Sequence, residues 1–348
     1  MNRMLFEGRM LVSLAASVIR QDDLRPMHGK MDWERLFRIA DYNRIANLIY
    51  LGVLGNERVP QHWRECFFER YLESLRFGES CEEGERELLT LFDLREIPAV
   101  LMLSGNRRGL YERPEMAGEA GPCLYLDEEH YVLAKGYLVD LGYETDRHYG
   151  MGGEHMKKGS FSVELYKRLP YKTRRYQRWM ARLLGETVGL YPYVQIRALP
   201  GASRLLYLFA DAAYRYATQR LLVRDMLDLC LLHRSLRGDL DMEALWRRLR
   251  ELRVEQLCRK LLGLAYMWFG TRQESAEYTE QDSLGDYDII ENRMLGYGKV
   301  YAEVMPEALA LAAEILREEE RENRRARVRL FLRDLQENWR RFRRKPNL

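Results

Sequence analysis

The chain lacks most of the features that common sequence signatures are built from. Its five cysteines, Cys66, Cys81, Cys123, Cys230 and Cys258, are odd in number and never form a C-x-x-C pair. That excludes a zinc ribbon and a disulfide scaffold, and it points to a reducing, cytoplasmic setting. No run of about 18 apolar residues occurs, so no transmembrane helix is expected. The N-terminal MNRMLFEGRMLVSLAASVIRQDD is interrupted by Glu7 and Arg9, and no cleavage site follows Ala15-Ala16. It reads as an amphipathic helix rather than a signal peptide. Gly-x-Ser-x-Gly elbows, Walker phosphate loops and Rossmann glycine fingerprints are missing, so those enzyme signatures have no support. His130, His148 and His155 do not have metal-ligand spacing on a helix. There is no internal repeat and no low-complexity linker.

What is present is a 348-residue chain with 47% hydrophobic residues, enough to bury a core and to form two domains or one with a large helical elaboration. The net charge is only +3. It is unevenly placed: residues 321–345 hold eleven Arg/Lys against Glu322, Asp334 and Glu337, and that tail of +8 leaves −5 on the remainder. An acidic body with a basic tail disfavours a wholly basic nucleic-acid binder, while the tail alone could meet an anionic partner.

Residues 1–95 read as helices. Trp33, Leu36, Phe37, Ile39, Ala40, Ile45, Leu48 and Ile49 recur at helical spacing, Pro60 opens the next helix, and a third is expected over about 80–95. The texture then changes. IPAVLML (97–103) and CLYL (123–126) read as buried strands, with a helix over about 128–141. SFSVELYKRL (160–169) alternates, with Phe161, Val163 and Leu165 on one side and Ser162, Glu164 and Tyr166 on the other. Residues 193–199 offer another strand. Helices resume at 201–218, 220–236, 241–251 and 254–269, with Asp241 as an N-cap. Residues 271–298 read as a polar loop, and two helices, about 305–322 and 324–343, close the chain. The expected division is 1–95 helical, 96–200 α/β core and 201–348 helical with a basic tail.

Few polar clusters carry chemistry on their own. Ser104-Gly105-Asn106-Arg107-Arg108 offers a turn with backbone N–H groups and two guanidinium groups, a phosphate-binding arrangement or simply a turn. Asp127-Glu128-Glu129 falls where a helix N-terminus is expected, which favours dipole stabilisation over metal binding. Asp286-Tyr287-Asp288 is a literal Asp-x-Asp without a preceding strand and reads as a loop. GMGGEHMKKG (150–159) reads as a flexible hairpin loop, with binding by His155, Lys157 and Lys158 as the minor alternative. Val328, Phe331, Leu332, Leu335, Trp339 and Phe342 form the apolar stripe of a basic amphipathic helix. It reads as docked on the body, or as a contact for an anionic or protein partner through 324–345.

Several segments stand in a telling order: DWERLFRIADYNRIANLIY, REIPAVLMLSG, a loop with Tyr111, PCLYLDEEHYVLAKGYLVDLGY, SFSVELY, then RLLYLFADAAYRYATQRLLVRDMLDL. Over about 31–270 this resembles the uncharacterised nucleotidyltransferases, which have the DNA polymerase beta-like nucleotidyltransferase fold. The resemblance implies an α+β fold, a small mixed sheet flanked by large N- and C-terminal helical regions. The family's Lys-Gly after the first strand is Ser104-Gly105 here. Its Asp-x-Asp, counted back from Gly142-Tyr143, falls on Pro122 and Leu124. Its third acidic position falls on Glu164, with Tyr166 in the place of a His. A later His-x-x-Lys-His pattern falls on Asp211, Tyr214 and Arg215, while Arg224 and Asp228 match the family's Arg and Asp.

Nucleotidyl transfer uses two Mg²⁺ ions between attacking and leaving oxygens, held by carboxylates at i and i+2 of a strand plus a third on its neighbour. With only Glu164 left, the resemblance implies a degraded two-metal site. The expectation is a nucleotide- or phosphorylated-ligand-binding protein with weak or no transferase activity. Glu164 is its remaining catalytic carboxylate, and Ser104, Gly105, Arg107 and Arg108 bind phosphate. Mg²⁺ is needed only where activity survives. The alternative is a non-catalytic scaffold or interaction subunit. Glu164 is expected to point into the cleft and to pair with a cation such as Arg107 or Arg108.

Overall fold

In a computed structural model, residues 3–22, 31–103, 105–118, 121–149, 152–279, 284–295 and 303–343 are described, with side chains for all of these except 3–5, 105–106 and 326–343. The N-terminal part is helical: α1 (Arg3–Arg20), α2 (Trp33–Tyr42), α3 (Ala46–Val53) and α4 (Gln61–Leu94). Asp32 caps α2 by accepting the Arg35 N–H at 3.0 Å. The two helices expected between Pro60 and Arg95 are one 34-residue helix. Its glycines do not break it, because Phe77, Cys81, Leu88 and Phe92 bury one continuous face.

The sheet has seven strands among the described residues. They are β1 (Ala99–Leu103), β2 (Cys123–Tyr125), β3 (Glu144–His148), β4 (Gly153–Lys158), β5 (Phe161–Tyr166), β6 (Val188–Gly189) and β7 (Ile196–Ala198), in the order β3-β4-β5-β2-β1-β7-β6. β2 runs parallel to β5 and β1 parallel to β7, and the other pairs are antiparallel, so the sheet is mixed. Between β2 and β3 lies α5 (Glu128–Asp140), capped by Asp127, whose carboxylate accepts the His130 N–H at 2.9 Å. Two short 3-10 turns, Gly105–Leu110 and Pro114–Ala117, link β1 to β2.

The alternation of β5 decides what each face of the sheet does. Phe161, Val163 and Leu165 join Leu101 and Leu124 against α4 and α5. Ser162, Glu164 and Tyr166 take the other face, as period-2 geometry requires. That second face meets α6 (Arg174–Leu184), α7 (Gly201–Ala217) and α8 (Val223–Leu236), and behind them α9 (Met242–Glu251) and α10 (Glu255–Phe269), in one apolar core shared with α1, α2 and α3. Asp241 caps α9 as expected, accepting the Ala244 N–H at 3.0 Å.

Three expectations need correction. The expected hairpin loop at 150–159 contains β4, an interior strand bonded to β3 and β5 with Met156 fully buried, so glycine and lysine content hid a paired strand. The polar stretch 271–298 contains α11 (Arg272–Tyr278) and α12 (Leu284–Leu295), the latter anchored by buried Tyr287 and Ile290. Asp286 and Asp288 are therefore helical, and they face Lys260 and Arg9 respectively. The last two helices are one, α13 (Pro306–Arg343). Its first half is tied down by a 2.6 Å ion pair between Glu314 and Arg175 and by Glu319 with Lys172. The stripe from Val328 to Phe342 lies outside the described side chains.

Candidate active-site cleft

The second face of the sheet floors a cleft of about 350 Å³. Across its floor the ladder sets Cys123 of β2 beside Glu164 of β5, and Glu164 beside His155 of β4. Gly121, just before β2, occupies the next position on the same side, and it too lines the cleft. The walls come from the α2–α3 turn (Arg44), α3 (Asn47), α4 (Arg70, Glu73), the turn after β1 (Arg107), the β3–β4 hairpin (Arg147, Tyr149), α7 (Asp211, Arg215) and α8 (Arg224, Asp228).

The expected metal-ligand positions are displaced by one residue. Leu124 is fully buried on the opposite face, opposite Leu101 and Leu165, and the Pro122 carbonyl accepts the Glu164 N–H at 2.9 Å. Because side chains alternate, the cleft-facing pair is Gly121 and Cys123, not Pro122 and Leu124. Counting back from Gly142-Tyr143 could not detect this slip, since both registers contain only apolar or small residues. A side chain at position 121 has no room: a Cβ there would lie 2.1 Å from the Ser162 carbonyl oxygen.

Glu164 does line the cleft, but its partners are phenols rather than a cation. Its Oε1 accepts from the Tyr149 hydroxyl at 3.0 Å and its Oε2 from that of Tyr166 at 3.3 Å. The two rings stack at 5.3 Å. Burial pushes both phenols above the usual tyrosine range, and the Glu164 charge pushes them further, so both remain donors. Among the described residues, no Arg or Lys forms an ion pair with Glu164.

The other expected residues separate. Ser104 lies outside the described residues, and Gly105 begins the first 3-10 turn. Arg107 enters the cleft, with Nη1 at 3.3 Å from Asp228 Oδ2. Burial acts to lower its pKa, but Asp228 and Glu164 outweigh that and leave it raised. Arg108 points elsewhere, lying against Gly78 and over the Phe77 ring of α4 at 6.0 Å. Asp211 and Arg215 meet in the cleft at 2.6 Å, whereas the Tyr214 hydroxyl accepts the Lys172 N–H at 3.0 Å.

Arg224 and Asp228 form a buried anchor. Arg224 donates to the Arg44 carbonyl (3.0 Å), the Tyr111 hydroxyl (3.0 Å), the Met116 carbonyl (2.6 Å) and Asn47 Oδ1 (2.9 Å). The Tyr111 hydroxyl in turn donates to Asp228. One guanidinium thus joins the α2–α3 turn, the β1–β2 connection and α8 around the cleft wall. Residue types alone did not single out Asn47, Arg44, Arg147 or Tyr149, because their sequence surroundings carry no motif.

The floor does not suit a Mg²⁺ pair, which requires hard oxygen ligands. Gly121 supplies no side chain. Burial, reinforced by Glu164, raises the Cys123 thiol well above its usual value, so it stays protonated. Both Glu164 oxygens are engaged. Among the described residues, no group of three His, Cys, Asp or Glu is arranged to hold a metal ion.

A family model described as uncharacterised nucleotidyltransferase matches residues 29–270. The chain belongs to that family. No curated protein and no solved structure matches it. The nucleotidyltransferase match takes in α2 through α10 and the whole sheet, and therefore every wall of the cleft. Helices α1, α11, α12 and α13 lie outside it. Among the described residues, no helix is long and apolar enough to cross a membrane.

Proposed function

We propose that this nucleotidyltransferase-family protein binds a nucleotide or another phosphorylated ligand in the cleft, with weak or no transferase activity. The observation that carries this reading is the cleft-facing run Gly121, Cys123 and Glu164, in which one carboxylate, already bonded to two phenols, stands where two-metal transfer needs three. Ligand binding is supported by Arg44, Arg107 and Arg147 on the walls, since guanidinium groups match phosphate oxygens in charge and geometry. A cytoplasmic location belongs to the same reading and is supported by the free thiols of all five cysteines. By this reading Arg107, rather than Arg108, is the phosphate ligand on the turn after β1.

The test is to incubate the purified chain with α-labelled nucleoside triphosphates and Mg²⁺, and to follow label transfer to protein and small acceptors beside thermal-shift binding. Stabilisation by a phosphorylated ligand without label transfer is the expected result. Turnover that Glu164→Gln abolishes in a folded protein would contradict it.

A scaffold role is the second reading. It is favoured by Leu94, Tyr191 and Val194, which are 77%, 94% and 82% exposed near one end of the sheet, where Asp93 accepts the Val194 N–H.

A further inference from the structure

We propose that the cleft recognises phosphate with guanidinium charge in place of Mg²⁺, so that it prefers a metal-free polyanion to its magnesium complex. This rests on the phosphorylated-ligand reading and goes on to say in what form the ligand is taken. The acidic wall residues are already committed: Asp228 to Arg107 and Tyr111, Asp211 and Asp225 to Arg215, Asp41 and Glu73 to Arg70, and Asp146 to His155. Glu164 is held by Tyr149 and Tyr166. Among the described residues these pairings engage every carboxylate that lines the cleft.

The capacity left over is donor capacity. Arg107 Nε is buried without a hydrogen-bond partner in a cleft-lining side chain. Arg44 and Arg147 are exposed at the cleft and, among the described residues, neither forms an ion pair with a carboxylate, although the Arg147 charge acts on neighbouring Asp146. Arg107 and Arg215 both act electrostatically on the Cys123 thiol, so two guanidinium charges stand near the strand position from which a carboxylate would hold metal. Buried, unsatisfied donors cost stability that an anion would restore. Magnesium bound to a polyphosphate covers the same oxygens and cancels part of the charge that these groups would contact.

Isothermal titration of the full chain with ATP and with inorganic tripolyphosphate, in EDTA and then in excess MgCl₂ at matched ionic strength, tests this. Both probes should bind in EDTA, and Mg²⁺ should weaken binding about tenfold. Arg147→Ala alters an exposed side chain and should leave the melting temperature unchanged while weakening both probes several-fold. Arg107→Gln should weaken them more. Mg²⁺-strengthened binding overturns the inference but leaves a phosphate-binding cleft, whereas wild-type affinity in both variants overturns the inference together with the assignment of Arg107 as the phosphate ligand. Failure of both polyanions to bind in either buffer overturns the phosphorylated-ligand reading, and this inference with it.

Discussion

At the scale of single residues, Glu164 shows how one partner changes a role. A carboxylate between two phenols is a satisfied hydrogen-bond acceptor. Replacing it with Gln removes the charge and leaves one acceptor oxygen, which should cost about 1 kcal/mol in urea unfolding, the usual net worth of such a bond. A larger loss, with folding cooperativity destroyed, would mean that the carboxylate also holds something else. Cys123 offers the complementary experiment. Cys123→Asp places a carboxylate beside Glu164, yet position 121 cannot carry a second one, because the Ser162 carbonyl fills its space. The expected outcome is no Mg²⁺-dependent label transfer in a variant that remains folded by circular dichroism. Restored transfer would show that two carboxylates suffice.

At the scale of elements, the long helix α4 and strand β5 meet at Gly84. Glycine inside a helix ordinarily costs about 1 kcal/mol relative to alanine. Here a Cβ would lie 2.6 Å from the Phe161 ring. Overpacking typically costs about 1–3 kcal/mol, so the clash should exceed the gain in propensity. Gly84→Ala is therefore expected to lower stability by about 1 kcal/mol, measured as a lower urea midpoint, and a raised midpoint would contradict the packing. Much at this scale was legible in the sequence. Strands β1 and β2 follow from short apolar runs, β5 from apolar alternation, and the Asp241 cap from local side-chain chemistry. What was not legible depended on partners far along the chain. β4 is a strand because β3 and β5 bond to it on both sides, not because its residues favour one. The one-residue slip on β2 is of the same kind, since only pairing with β5 tells Cys123 from Leu124. By contrast, α11 had a readable signal, the Thr271-x-x-Glu274 capping box, in a stretch whose polarity suggested a loop.

At the scale of the whole molecule, the helices behind the cleft hold a buried imidazole that links stability to pH. His233 is fully buried, with Nδ1 2.8 Å from the Tyr266 hydroxyl, and its ring meets those of Tyr266 and Tyr278 edge-on. Burial, aided by the Arg237 charge, lowers its pKa from 6.5 to about 4. Unfolding returns it to the ordinary value, so below that pH the unfolded chain binds a proton that the folded chain excludes. This contribution is fully present above pH 6.5 and is lost as the pH falls towards 4. A shift of this size corresponds to about 3 kcal/mol across the window. His233→Gln should flatten the loss of stability between those values relative to the wild type. An unchanged slope would place the titration elsewhere.

What stands over Gly121, Cys123 and Glu164 when ligand is bound decides between guanidinium and metal recognition of phosphate. The most direct measurement is a crystal structure grown with ATP and Mn²⁺, with the metal located by anomalous scattering. The expected result is phosphate density against Arg107 and no pair of Mn²⁺ peaks on the floor. Two Mn²⁺ ions ligated by Glu164 and bridging the phosphates would contradict it.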